Sequence, residues 1–405
     1  MWKDLIGTVG ARYLIAFFNL ALIFVNARVL GVRGMGEIGL IWASVSICAT
    51  VNGLLGGNTL TYFVHKYALR TLYPIAAAWI LAGSALSCAC LHLLGMLPEG
   101  YGWAIFLLSV LYSFPLAHAR LLLGIDDIFG FNLTNILQGG LLFFVLCAFY
   151  YIIGIREVQA YIWGQGLVNG LAFLWSLHRL HTRRGEGGKQ GRLPVLKEML
   201  SYGLWGSADN LAEVLATRLN YFLVQSWLGL GAVGLLDAAT KLSESIWNIS
   251  RGAASVEYNR MVRIDEADQQ RRVTLRLLKF STLAVAAAVL LLCLLPEQLF
   301  TGYLFGKHFA GIRPLILLMA PGVVCYAANN ILSAYFIGTG RIRYSTFVSF
   351  AGLLVLLAAA SCLIPLWGLP GSALAGSLSY AALLLAALFF FRRKVLLLQH
   401  REGST

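Results

Sequence analysis

The chain has 405 residues, of which 59% are hydrophobic and 12% are charged. A soluble globular domain carries roughly 25% charged residues, so this composition excludes a soluble protein and indicates a chain embedded in a membrane along most of its length. The net charge is +13, which the membrane topology predicted below explains without nucleic-acid binding.

Long apolar runs recur along the sequence. Each is long enough to cross a hydrocarbon core of about 30 Å, which takes about 20 residues as a helix. They predict an all-α, polytopic membrane protein of about twelve transmembrane helices. We place these at residues 9–30, 38–62, 72–95, 102–123, 131–153, 158–179, 201–227, 232–255, 277–299, 312–338, 344–365 and 370–391.

The distribution of Lys and Arg between successive connections predicts the orientation of the helices. Most of these residues fall on one side, chiefly in the connections at 179–197 and 260–279. The connections on the opposite side carry only Arg33, Arg156, Lys307 and Arg313. This bias predicts a multi-pass protein of the cell inner membrane with both termini in the cytoplasm.

A glycine motif occurs twice, as LGVRGMG at 30–36 and LGLGAVG at 228–234. The first joins predicted helices 1 and 2, and the second joins predicted helices 7 and 8. Chance is the alternative, because glycine is common at helix ends. As a repeat, the motif predicts two parallel six-helix lobes at 1–180 and 201–405 with a cytoplasmic linker at 181–200. Transporters commonly bind substrate where such halves meet.

Polar residues of predicted helix 8 lie along one face at about 100° per residue. They are Asp237, Lys241, Glu244, Asn248, Arg251 and Ser255. Because a charge at mid-bilayer costs about 2.5–3.5 kcal/mol, this face predicts a water-filled cavity or ion pairs within the helix. Asp237 and Glu244 both have the spacing to pair with Lys241, but the face continues beyond them, which favours the cavity.

Polar faces also occur on predicted helix 7 and on predicted helices 1 and 2, which correspond to helices 7 and 8 under the repeat. Predicted helix 7 carries Tyr202, Asp209, Glu213, Thr217 and Asn220. Predicted helix 1 carries Thr8, Arg12, Asn19 and Asn26, and predicted helix 2 carries Ser44, Asn58, Tyr62 and Lys66. Arg218 lies about opposite Asp209 on helix 7, so it faces either another helix or the membrane interface.

Two sets of candidate site residues follow. The substrate-binding set is Arg12, Asn19, Asn58, Lys66, Lys241, Asn248 and Arg251, and the ion-coupling set is Asp209, Glu213, Asp237 and Glu244. Cations near one cavity mouth suit a dianion such as a lipid diphosphate, and desolvated carboxylates suit exchange of H⁺ or Na⁺. The alternatives are cations that only follow the positive-inside rule and acids that only neutralise Lys241 and Arg251.

We predict no enzymatic activity, cofactor or metal site. Cys88 and Cys90 have no acidic or His partner at ligand spacing, and the sequence contains no nucleotide-binding loop.

Several short motifs also occur in a fixed order along the chain. They are ARVLGVRGMG at 27–36, LG and VG at 228–229 and 233–234, LFGKHF at 304–309, GTGR at 338–341, and IP, G and GSALA between 364 and 375. In this order they resemble the multidrug/oligosaccharidyl-lipid/polysaccharide (MOP) exporter superfamily, in particular its polysaccharide-transporter branch of O-antigen-type flippases.

The resemblance implies two six-helix lobes in a V, with helices 1, 2, 7 and 8 lining a central cavity. It implies a flippase that moves undecaprenyl-diphosphate-linked oligosaccharide from the cytoplasmic to the periplasmic leaflet by alternating access, driven by a proton or sodium gradient. Its partners would be this lipid, the surrounding membrane lipids and polysaccharide assembly proteins.

Two other functions remain open at this point. A multidrug exporter of the same fold is expected to have a more acidic and aromatic cavity. A membrane polymerase or ligase of sugar chains usually needs an external loop with acids or histidines, and the longest external stretch here offers only Lys307 and His308.

Overall fold

The computed structural model describes residues 2–182, 191–264 and 266–402, with side chains for all of these except 2–9, 11–13 and 394–402. The described residues form twelve α-helices and no strand, which confirms the all-α prediction. The helices are α1 (Trp2–Gly56), α2 (Asn58–Phe63), α3 (Leu69–Leu93), α4 (Gly102–Gly124), α5 (Ile128–Cys147), α6 (Val158–Thr182), α7 (Arg192–Leu228), α8 (Leu230–Met261), α9 (Ala267–Leu294), α10 (Ile312–Gly338), α11 (Ile342–Trp367) and α12 (Leu369–Glu402).

The two glycine motifs adopt the same backbone conformation. Gly31 has φ 67° and ψ −172° inside α1, where it separates predicted helices 1 and 2. Gly229 has φ 81° and ψ 179° between α7 and α8. Residues other than glycine rarely adopt this conformation, so the same junction is built at corresponding places in the two halves.

Predicted helix 2 is interrupted, contrary to the single helix expected at 38–62. The second part of α1 ends at Gly56, and the short helix α2 begins at Asn58 after Gly57. Gly57 is non-helical at φ −100° and ψ −139°, and a Cβ on it would lie 2.5 Å from the carbonyl oxygen of Gly53. The break separates Ser44 from Asn58, Tyr62 and Lys66, which therefore do not share one helix face.

Among the described residues, eight helical segments are long and apolar enough to cross a membrane by length and composition. One of them, Leu14–Phe63, contains 50 residues and is long enough for two crossings. Helices α6, α7 and α8 are long but fall outside this group, in keeping with the polar residues that they carry. The chain is a multi-pass membrane protein.

The chain forms two compact units, Met1–Ser207 and Ala208–Thr405. In the first unit, α1 packs against α3, α4 and α5, and α4 packs against α5 and α6. The first residues of α7 join this unit, since Val195 and Met199 are buried in the same core as Leu60, Phe63 and Leu121.

In the second unit, α10 packs against α8, α9 and α12, and α11 packs against α12. Small residues allow close contact between α10 and α12. A Cβ on Gly322 would lie 2.6 Å from the Cα of Ser377, and the Ser377 hydroxyl donates to the Leu318 carbonyl at 2.6 Å. Such contacts are the usual means of helix association in membranes, where lipid is as apolar as the side chains.

In the first unit, the connection between α4 and α5 contains a charged pair whose contribution to stability can be tested. Asp127 is buried, accepts a hydrogen bond from the Gly130 amide at 3.1 Å, and binds Arg179 of α6 through two hydrogen bonds of 2.6 and 3.1 Å. We expect Asp127→Asn to destabilise the protein by about 1–2 kcal/mol, because it removes a charge-assisted pair around a helix N-terminus. Thermal unfolding in detergent, followed by circular dichroism, measures this change.

The neighbouring substitution Asp126→Asn is the matched control. Asp126 is exposed and has φ 59°, a conformation that Asn tolerates well. An equal loss of stability in both variants would contradict the importance assigned to the Asp127–Arg179 pair.

Candidate functional site in the C-terminal unit

Helix α7 directs polar side chains towards several neighbouring helices. The Ser349 hydroxyl of α11 donates to Asp209 at 2.7 Å, and the side-chain amide of Asn220 donates to the Ser372 carbonyl of α12 at 3.0 Å. Both Asp209 and Asn220 are buried. These contacts satisfy polar groups that would otherwise be costly in an apolar surrounding.

Two further residues of α7, Glu213 and Arg218, contact α10 and α8. The Tyr326 hydroxyl of α10 donates to the Glu213 carboxylate. Arg218 forms an ion pair with Glu244 of α8, with its Nη1 atom 2.7 Å from Glu244 Oε1. The polar side chains of this one helix thus reach four other helices of the C-terminal unit.

The partner of Glu244 differs from the partners considered from the sequence. Spacing along α8 offered Lys241, and the alternative interpretation also offered Arg251, but the structure pairs Glu244 with Arg218 across two helices. Arg218 lies opposite Asp209 on α7, and this places it against α8. Spacing within one helix could not reveal the pair, because it depends on how α7 and α8 pack.

The pair within α8 that the sequence predicted is present. Lys241 Nζ lies 2.7 Å from Asp237 Oδ2, one helical turn away, and only 1% of the Asp237 side chain is exposed. Because an isolated charge at this position would be very unfavourable, Lys241 is required by Asp237. Its ammonium group is therefore already engaged by a carboxylate.

Arg251 differs from the other two cations of this region. It is exposed, and within the described part of the chain it forms no direct ion pair. Glu213, Glu244 and the Tyr326 hydroxyl lie near enough to interact with it electrostatically. Arg251 is therefore a cation at the accessible edge of a buried polar network.

Three aromatic residues form an apolar support for this network. Trp247 of α8 packs on Tyr326 of α10 with ring centroids 4.1 Å apart, and Tyr380 of α12 lies 5.1 Å from Tyr326. The three rings are buried. The sequence does not single them out, because isolated aromatic residues in apolar runs show no pattern that distinguishes them from lipid-facing residues.

A small cavity of about 20 Å³ lies beside the network, large enough for one water molecule or a small cation. Asn220, Tyr221, Thr240 and Tyr380 contribute to its lining. Within the described residues, the side-chain oxygen atom of Asn220 has no hydrogen-bond partner. The cavity is thus polar on one side.

The remaining candidates have different surroundings. Asn248 donates to the Ser245 carbonyl of its own helix at 3.3 Å. Asn19 and Asn58 are exposed in the N-terminal unit, and Arg12 lies outside the residues whose side chains are described. Lys66 is bound to Glu198, and this hydrogen bond lowers the pKa of the Glu198 carboxyl and keeps it ionised.

Apart from the Asp127–Arg179 pair, the buried polar contacts described in the N-terminal unit join neutral side chains. Asn52 donates to Ser84 and Ser113, both at 2.8 Å, and the Tyr150 hydroxyl donates to Asn26 at 2.9 Å. Asn26 was predicted on a polar face with Asn19, but it is buried and bound to Tyr150, in the π-helix Ala148–Ile153 that follows α5, while Asn19 is exposed. The two halves therefore repeat the glycine junction but not the charges.

Comparisons with known proteins agree with this architecture. The family model described as "Polysaccharide biosynthesis protein" matches residues 104–314, more than half of the chain. A comparison with curated proteins found no significant match.

Three solved structures illustrate the likeness of fold. An inward-facing multidrug resistance MATE family transporter of the MOP superfamily is 16% identical, with 95% of each chain covered and a TM-score of 0.75. The lipid II flippase MurJ is 15% identical, with 97% of this chain and 88% of MurJ covered and a TM-score of 0.65. A MOP superfamily transporter from Pyrococcus furiosus, described with a binding pocket of reversed polarity, is 17% identical, with 98% and 95% covered and a TM-score of 0.57. The predicted fold resemblance is confirmed.

The Arg218–Glu244 pair yields a prediction about stability. We expect Arg218→Leu and Glu244→Leu each to cost about 3 kcal/mol, because each leaves a mostly buried charge without its partner. The double substitution is expected to cost less than the sum of the two, since it leaves neither charge behind. Thermal unfolding of all four proteins in the same detergent measures the coupling energy. Additive losses would contradict the pairing.

Proposed function

The chain belongs to the polysaccharide biosynthesis protein family, and we propose that it is a flippase for undecaprenyl-diphosphate-linked oligosaccharide, moving this lipid from the cytoplasmic to the periplasmic leaflet. The family supports a substrate from polysaccharide assembly. The fold shared with a lipid II flippase supports a lipid-linked sugar as the transported molecule. The proposal concerns transport and assigns no chemical reaction to the chain.

A flippase for such a lipid must solve a problem of solvation. The hydroxyl groups of a sugar chain lose their hydrogen bonds to water when they enter hydrocarbon, which is unfavourable for each unpaired group. Polar side chains along a transport route replace the lost water, while the prenyl tail remains in lipid. The polar side chains that α7 and α8 carry between the apolar helices of the C-terminal unit are of this kind.

The exposed position of Arg251 is the observation that supports an anionic substrate. Arg218 and Lys241 are already neutralised by Glu244 and Asp237, whereas Arg251 is exposed beside the same network. A guanidinium group suits phosphate oxygens because it donates two parallel hydrogen bonds. We therefore assign Arg251 to the diphosphate of the lipid.

Asp209 supports coupling of transport to an ion gradient. Its described polar partners are the Ser349 and Ser345 hydroxyls, and no ion pair of the described residues includes it. Glu213 lies near enough to repel it electrostatically. A buried carboxylate beside a second acid favours a bound proton or cation, so we assign Asp209 as the coupling residue. Glu213, Asp237 and Glu244 then hold the network together.

The first prediction of this proposal concerns Arg251. We expect Arg251→Gln to reduce flipping of a fluorescent undecaprenyl-diphosphate oligosaccharide in liposomes by about tenfold, because one charge-assisted contact to phosphate is worth roughly 1.5–3 kcal/mol. Arg263→Gln is the matched control, since Arg263 is also exposed but lies beyond α8. Unchanged flipping by the Arg251 variant would contradict the assignment.

The same liposomes separate the flippase from its alternatives. A multidrug exporter of this fold would move cationic dyes and leave the prenyl lipid in its original leaflet. A polymerase or ligase would change the covalent structure of the lipid, which mass spectrometry of the recovered lipid detects. Either result without flipping would contradict the proposed function.

The second prediction concerns Asp209. We expect Asp209→Asn to abolish the stimulation of flipping by an imposed gradient while leaving lipid binding within about twofold, because Asn keeps the contact with Ser349 but cannot exchange a proton or balance a cation. Proton and sodium gradients are applied separately to identify the ion. Asp268→Asn, at the exposed start of α9, is the control. A variant that still responds to the gradient would exclude Asp209 as the coupling residue.

A further inference from the structure

An exposed pair of stacked tyrosines lies where α2 meets the start of α7 in the N-terminal unit. The rings of Tyr62 and Tyr202 are nearly parallel, at 14°, with centroids 4.4 Å apart. Yet 54% of Tyr62 and 52% of Tyr202 remains exposed. We call this pair the tyrosine platform.

Phe63 and the close approach of α7 at Gly203 hold the platform in place. The buried Phe63 presents its edge to both tyrosines, with centroid distances of 5.0 and 5.6 Å. Gly203 lets α7 approach closely, because a Cβ there would lie 2.7 Å from the Leu54 carbonyl oxygen and 2.8 Å from the Thr59 hydroxyl. Phe63 belongs to the packed core of this unit, and its contacts fix the two exposed rings.

Polar groups border the platform on one side. Glu198 precedes Tyr202 by one helical turn and therefore shares its face of α7. Its carboxylate accepts hydrogen bonds from Lys66 and from the Tyr67 hydroxyl, and the Lys66 and Glu198 side chains are 52% and 41% exposed. Trp205, one turn after Tyr202, is 37% exposed. Aromatic faces and a charged hydrogen-bonding edge thus occur together.

We propose that the tyrosine platform binds the sugar rings of the lipid-linked oligosaccharide. A pyranose ring presents C–H groups on its faces and hydroxyl groups around its rim. The C–H groups pack favourably on the electron-rich face of an aromatic ring, and the rim hydroxyls can bond to a carboxylate and an ammonium group. This inference rests on the proposed function but concerns a site separate from Arg251.

The predicted topology places the end of α2 and the start of α7 on the cytoplasmic side, where the substrate begins its passage. A role in the interfacial aromatic belt of membrane proteins would explain exposed tyrosines but not their stacking beside Glu198 and Lys66. The platform would therefore select the sugar, whereas Arg251 would bind the diphosphate common to all such lipids.

Binding of two lipids by the full-length protein in nanodiscs tests this inference. One probe is undecaprenyl diphosphate bearing an oligosaccharide, drawn from a panel of sugar compositions, and the other is undecaprenyl diphosphate without sugar. We expect Tyr62→Leu and Tyr202→Leu each to weaken binding of the sugar-bearing lipid about tenfold and to leave binding of the sugar-free lipid unchanged. Tyr62→Phe, which keeps the ring, is expected to bind both lipids within about twofold of the unmodified protein.

Tyr258→Leu is the control for general loss of an exposed tyrosine, because Tyr258 is 44% exposed near the end of α8. Thermal unfolding verifies that the leucine variants remain folded. Unchanged binding of the sugar-bearing lipid by both leucine variants, or an equal loss for both lipids, would overturn the platform while leaving the flippase proposal intact. If the unmodified protein bound neither lipid, the flippase proposal itself would be overturned.

Discussion

The C-terminal unit depends on the neutralisation of charges that α7 and α8 carry into an apolar surrounding. A buried ion pair adds little to stability, but removing one partner leaves an uncompensated buried charge, which is strongly destabilising. The polar side chains of α7 therefore determine which helices it must contact: Ser349 of α11 binds Asp209, Tyr326 of α10 binds Glu213, and Glu244 of α8 binds Arg218. Apolar contact alone would permit several rotations of α7 in the bundle. These bonds select one.

Hydrophobicity and helix periodicity were sufficient to predict the helices, because the length of an apolar run is set by the thickness of the bilayer. They were also sufficient for the Asp237–Lys241 pair, which lies within one helix. Contacts between different helices could be identified only from the structure. Arg218 could not be paired with Glu244, nor Tyr326 with Glu213, because each pair combines residues whose proximity arises only from packing. The break at Gly57 was missed for a related reason, since glycine within an apolar run is compatible with a continuous helix.

The glycine repeat and the distribution of charge lead to different conclusions about symmetry. Gly31 and Gly229 share one backbone conformation, so the two junctions are built alike. The buried contacts around them are not, because Asn26 and Asn52 bind neutral partners while α7 and α8 carry ionised ones. The two halves thus share the glycine junction, whereas the charged network of α7 and α8 has no counterpart among the described contacts of the N-terminal half. Under the proposed function, ion coupling belongs to the C-terminal half.

This concentration of charge gives the proposed coupling a physical route. Glu213 interacts electrostatically with both Asp209 and Arg251. Under the proposed function, a cation or proton held by Asp209 reduces the negative charge beside Glu213, and a diphosphate at Arg251 adds negative charge on the other side of the same acid. A diphosphate at Arg251 competes with Glu213 for the same guanidinium group, so each ligand changes the affinity for the other by the same factor.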